Sequence, residues 1–128
     1  IRKPSSILNL WKKMPFNHQS SFTRRELLIK HPFVYDYKLA SDYEFLIYAY
    51  KNNFRFKKID VIISSFGSGG ISNKQQGRAI REYEEILKKY NLNNLKTFFY
   101  YRFLLLKPVF KKITPKRLKK FIYNYFVK

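Results

Sequence analysis

The stretch QQGRAIREYEEILKKY, residues 75–90, constrains the fold more than any other part of this chain. Ala79, Ile80, Tyr83, Ile86, Leu87 and Tyr90 recur at steps of three and four, the period at which helical side chains share one face. The spacing predicts a strongly amphipathic helix over 75–90 whose apolar stripe must be covered by another element. On its other face Arg81 and Glu85 are spaced for an i,i+4 ion pair.

LASDYEFLIYAYKNN, residues 39–53, carries a second stripe. From Asp42, helical steps fall on Phe45, Leu46, Ala49 and Tyr50, so the acid heads the face that turns to a core. Ser41-Asp42-Tyr43-Glu44 spells a capping box, and Asn52 and Asn53 are suited to end the helix. Thr23-Arg24-Arg25-Glu26 spells a second box, starting a short helix through Leu27, Leu28 and Ile29 that Pro32 ends. Residues 1–16 read as an irregular segment seated on the core through Leu8, Leu10 and Trp11.

Two segments alternate in the manner of strands. In NHQSSFT (17–23), His18, Ser20 and Phe22 fall on one side, and FRFKKIDVIISSF (54–66) is rich in β-branched residues. GSGGIS (67–72) is a glycine-rich loop. The expectation is an α/β fold, with short strands and amphipathic helices followed by a helical C-terminal tail. NLNN after Tyr90 reads as a linker. Thr114-Pro115 then marks a helix start, with Leu118, Phe121, Ile122, Tyr125 and Phe126 as its stripe. No apolar run approaches the roughly 20 residues that span a bilayer.

Charge narrows the partners. With 27 Lys and Arg against 8 Asp and Glu, the formal charge is +19, and every acid lies at or before Glu85. Such a field attracts nucleic acid, an anionic membrane surface or phosphorylated ligands. Cysteine is absent, which excludes disulfides and thiolate metal sites and fits a reducing cytoplasm. His18 and His31 are too few imidazoles for a zinc site of their own.

The ordered set PFNHQSSFTRRELL (15–28), PFVYDYKLASDYEFLIYAYKNNF (32–54), IDVIISSFGSGGIS (59–72) and a helix bearing REYEEILKKY resembles the C-terminal half of a bacterial family 2 glycosyltransferase. The resemblance covers roughly residues 15–90. It implies the acceptor-side half of a GT-A fold over 1–90, with 91–128 as a basic, membrane-associating helical tail. It also implies inverting transfer of a sugar from a nucleotide-sugar donor to an acceptor hydroxyl, on a glycan or lipid-linked precursor of a surface polysaccharide. Asp42 would be the catalytic base, taking the acceptor's proton as its oxygen attacks the anomeric carbon. His18, Gln19, Ser20, Gly69, Gly70 and Ser72 would bind substrate. A divalent cation, Mg²⁺ or Mn²⁺, would neutralise the leaving diphosphate. Its ligands would lie mostly outside this chain, because the family's Asp-x-Asp motif is absent and SDYE does not replace it. The chain is therefore expected to be a piece of a longer enzyme. The expected location is the cytoplasm, peripheral on the inner face of the cell membrane.

The family pattern is not fully met. Ser41 stands where an acid often precedes the Asp, Phe33-Val34-Tyr35 replaces a frequent Phe-Asp-Glu, and the Gln-x-x-Arg-Trp motif of processive synthases is missing. The last departure points to transfer of one sugar at a time. Each site residue also has a plain structural role open to it. Asp42 can serve as a helix-start acid worth about 0.3–1 kcal/mol, His18 as a hydrogen-bonded strand residue, and the glycines as a loop that needs positive φ. Two other functions stay open, a basic, aromatic nucleic-acid-binding module and a non-catalytic membrane-docking domain.

Overall fold

A computed structural model describes residues 5–59, 61 and 75–113. Among the described residues, four α-helices follow in chain order: α1 (Arg25–Lys30), α2 (Ser41–Lys51), α3 (Gln76–Lys89) and α4 (Leu95–Ile113). α3 is the helix that the 75–90 pattern predicts. Ala79, Ile80, Ile86 and Leu87 are buried, with Tyr83 and Tyr90 half-buried beside them. α3 packs between α2 and α4.

α2 buries more than a stripe. Tyr43, Glu44, Phe45, Leu46, Ile47 and Ala49 are all buried, leaving its first residues and last turn to meet solvent. Tyr43, Leu46, Ile47, Ile80, Ile86, Leu87 and Tyr101 form one cluster with Leu10 and Ala40. Each fully buried aliphatic side chain contributes about 1.5–3 kcal/mol. Tyr101 lies on α4, so the start of the segment expected as a tail shares the core that the earlier residues build. The N-terminal segment is seated as Leu10 and Trp11 suggest. Tyr43 donates its hydroxyl to the Leu10 carbonyl at 2.7 Å, Tyr101 to that of Trp11 at 2.9 Å, and the Trp11 ring meets Tyr100 edge-on. Leu8, expected to help, is instead 71 % exposed.

The helix ends follow local chemistry. Asn53 and Asn91 adopt left-handed backbone, at φ 58° and 53°, a region that asparagine tolerates better than most residues. Phe54 N–H then reaches the Ala49 carbonyl, and Leu92 N–H that of Leu87, closing the same C-terminal motif on α2 and α3. At the start of α4, Asn94 and Thr97 cap each other. Thr97 N–H donates to Asn94 Oδ1 at 3.0 Å and Asn94 N–H to Thr97 Oγ1 at 2.7 Å. NLNN is thus a helix stop joined directly to a helix start.

The two expected capping boxes do not form. α2 is preceded by Ala40 and α1 by Arg24, neither with a side-chain cap. Glu44, the far partner of the Ser41 box, turns inward to stronger donors. On α3 the i,i+4 pairs that form are Arg78–Glu82 and Glu84–Lys88 rather than Arg81–Glu85.

The larger correction concerns fold class. The described residues contain no strand, so the expected α/β acceptor-side half of a GT-A fold is not what this chain forms. His18–Ser20 is a 3₁₀ turn, and Phe54–Ile59 is irregular, with Phe54, Phe56 and Ile59 exposed. Alternating residues make a strand only where a neighbouring strand pairs their N–H and C=O groups, and no such neighbour lies among the described residues. Val61 is also exposed and in no strand, while residues 60 and 62–66 of the second expected strand, the glycine loop 67–72 and the helix expected from Thr114 lie outside the described residues.

Candidate functional site

Asp42 is the second residue of α2, and its carboxylate is partly open to solvent. Oδ1 accepts the Tyr43 N–H at 2.8 Å. Oδ2 lies 3.1 Å from Nδ1 of His18. The fold therefore brings together the expected base and one of the expected substrate-binding residues. His18 opens the 3₁₀ turn, which Asn17 caps through a hydrogen bond from Gln19 N–H to its Oδ1. The pair is accessible, with side-chain exposures of 56 % for His18 and 28 % for Asp42.

This arrangement suits proton transfer. A neutral imidazole that donates from Nδ1 to a carboxylate keeps its lone pair on Nε2, and a protonated one neutralises the carboxylate. The pair can accept a proton at either partner. Gln19 is exposed on the same turn, Ser20 half-buried behind it. Gly69, Gly70 and Ser72 lie outside the described residues.

A second carboxylate on the same helix is wholly enclosed. Glu44 has no exposed surface. Oε1 accepts from Lys89 Nζ at 2.7 Å and from the Tyr90 hydroxyl at 2.5 Å, and Oε2 meets His31 Nε2 at 2.9 Å. Burial alone would raise the Glu44 carboxyl, but the hydrogen bonds from Lys89, Tyr90 and His31 outweigh it and hold the group below its ordinary value. The same burial and the adjacent carboxylate push the Tyr90 phenol up. The His31 ring stacks on Tyr48 with centroids 3.7 Å apart. With His31, Lys89 and Tyr90 around Glu44, this cluster ties α2 to the end of α3 and to the turn after α1. Sequence reasoning missed it. The acid was visible, but its partners come from positions 31, 89 and 90.

Glu82 and Glu84 are likewise spent on structure. Glu82 accepts the Leu39 N–H at 2.8 Å and pairs with Arg78, and Glu84 pairs with Lys88 and Arg102. The divalent cation implied by the resemblance is expected to take its ligands mostly from outside this chain, and the described residues neither supply nor test its site. They gather no group of three metal-ligating side chains, and Asp42 already shares Oδ2 with an imidazole.

Two cavities among the described residues lie elsewhere. One of about 220 Å³ is lined by Ile7, Leu10, Trp11, Tyr50 and Lys96 among others. A smaller one lies between α3 and α4 near Glu84, Thr97 and Tyr101. The His18–Asp42 pair lines neither of them and is accessible to solvent. No family model matches the chain, and no curated protein or solved structure shows significant similarity to it.

Proposed function

We propose that this chain supplies the proton-accepting side of a glycosyl transfer. One observation carries the reading, the 3.1 Å contact between His18 Nδ1 and Asp42 Oδ2 at an accessible surface. Asp42 receives the proton of an acceptor hydroxyl as that oxygen bonds to the anomeric carbon of a nucleotide-sugar. The bond from that carbon to the diphosphate breaks, and the nucleoside diphosphate leaves with the electron pair. Position is what Asp42 contributes. His18 holds the carboxylate in place. Its imidazole, 3.1 Å from the carboxylate, is placed to take the proton onward. Binding of the donor nucleotide, and of any cation on its diphosphate, falls to residues other than those described.

The test is nucleoside diphosphate release from UDP-, GDP- and dTDP-sugars by the natural protein carrying this chain, with membrane extract as acceptor. Asp42→Asn is expected to lower release by about 10²–10⁴-fold with the helical circular dichroism spectrum unchanged, and His18→Gln to lower it less. Near-normal release by Asp42→Asn refutes the base. Absence of any sugar-dependent release by the wild type refutes the reading altogether.

A further inference from the structure

α4 is apolar on opposite sides. Thr97 and Tyr101 face inward and are buried, with Leu104 and Leu105 half-buried next to them. Across the helix, Leu95, Phe99, Phe103 and Leu106 follow at steps of four, four and three. They stand 74, 62, 44 and 50 % exposed. A helix facing only water carries charged and polar residues on that side. Between Phe98 and Leu106 the one charged residue is Arg102, and its guanidinium is drawn aside to Glu84 and over the Phe98 ring. Lys96 and Lys107 flank the apolar stripe, with the Lys96 ammonium 4.9 Å from the Trp11 ring centroid.

We propose that this outward face of α4 docks on an anionic lipid bilayer. Leu95, Phe99, Phe103 and Leu106 enter the acyl boundary, and Lys96 and Lys107 lie at the headgroups. Charge selects this occupant. No acid follows Glu85, so mating this face with a second copy would bring like charges together, whereas an anionic surface neutralises them. The helix lies on the bilayer rather than through it, since no helix among the described residues is long and apolar enough to cross one. The surface stands on its own observations and does not depend on the sugar-transfer reading.

Co-sedimentation of the 128-residue chain with vesicles tests it, comparing 70:30 phosphatidylcholine:phosphatidylglycerol with phosphatidylcholine alone. Binding is expected to the mixed vesicles and to be much weaker to phosphatidylcholine. The double variant Phe99→Ser/Phe103→Ser is expected to lose roughly tenfold or more in partitioning. Lys96→Gln and Lys107→Gln are each expected to lose about fivefold. Circular dichroism of these surface variants should match wild type. Full binding by Phe99→Ser/Phe103→Ser would show that charge, or apolar residues elsewhere in the chain such as Leu118 and Phe121, hold it to lipid, and would overturn the proposal. So would failure of the wild type to bind. A dimer in light scattering without lipid, dissolved by the same double variant, would assign the face to a second copy and overturn it too.

Discussion

Asp42 and Glu44 stand two residues apart on α2, and each meets a histidine. His18 approaches the first at 3.1 Å, His31 the second at 2.9 Å. Two helical residues subtend about 200°, so these carboxylates point to nearly opposite sides. Glu44 turns toward α3 and finds Lys89 and Tyr90. Asp42 turns out to a surface turn and keeps part of its carboxylate in water. The same chemical pair thus serves two ends. The enclosed pair joins elements, while the open pair is reachable from solvent.

The widest separation between the two pairs should come from stability. Glu44→Ala strips a buried cluster of its acceptor and leaves Lys89, Tyr90 and His31 without their shared partner, so a loss of about 3–5 kcal/mol is expected. Urea denaturation of variant and wild type measures it, and a change below about 1 kcal/mol would erase the distinction drawn here.

Acid sharpens the same contrast. The folded Glu44 carboxyl is depressed below its ordinary 4.5, so its contribution is complete above that value and is lost as pH falls through the lower, folded one. Urea midpoints taken from pH 6 downward should therefore drop for the wild type below about 4.5. Over that window Glu44→Gln should drop less. Parallel curves for the two proteins would assign the acid loss to other groups.

The smallest effect is expected at the open pair. Asp42→Asn removes an accessible ion pair and a helix-start charge, together worth no more than about 1 kcal/mol. The same urea series checks it. A loss as large as that of Glu44→Ala would make Asp42 a structural residue and remove the reason to assign it chemistry.

The parts of the fold legible in the sequence are those that a few neighbouring residues decide. The stripe from Ala79 to Tyr90 names its own helix, and the pair Asn52-Asn53 names the stop of α2. Asp42 was visible as the acid heading α2. His18 was visible as a site residue, but on a strand, and nothing in its neighbours shows that it sits in a turn against Asp42. The capping boxes illustrate the limit. Ser41 to Glu44 matches the pattern, yet Glu44 finds an ammonium and a phenol more than forty residues away, and charge-assisted bonds in a buried site outcompete one end-cap bond. Asn94 and Thr97 cap α4 with a residue pair that the usual Glu- or Gln-ended pattern does not contain.

From the sequence alone come the amphipathic α3, the asparagine-ended α2, the absence of acids after Glu85 and the choice of Asp42 as the acid to watch. These depend on local periodicity, on left-handed backbone preference and on counting charges. Tertiary structure decided that the alternating segments 17–23 and 54–59 pair with no strand among the described residues. It also decided that Tyr101 belongs to the core, that Glu44 is sealed and that Asp42 is open with His18 upon it. Strand pairing and carboxylate partners are contacts between distant positions. Their free energy depends on which groups the folded chain brings within hydrogen-bond reach, and local pattern does not carry that information.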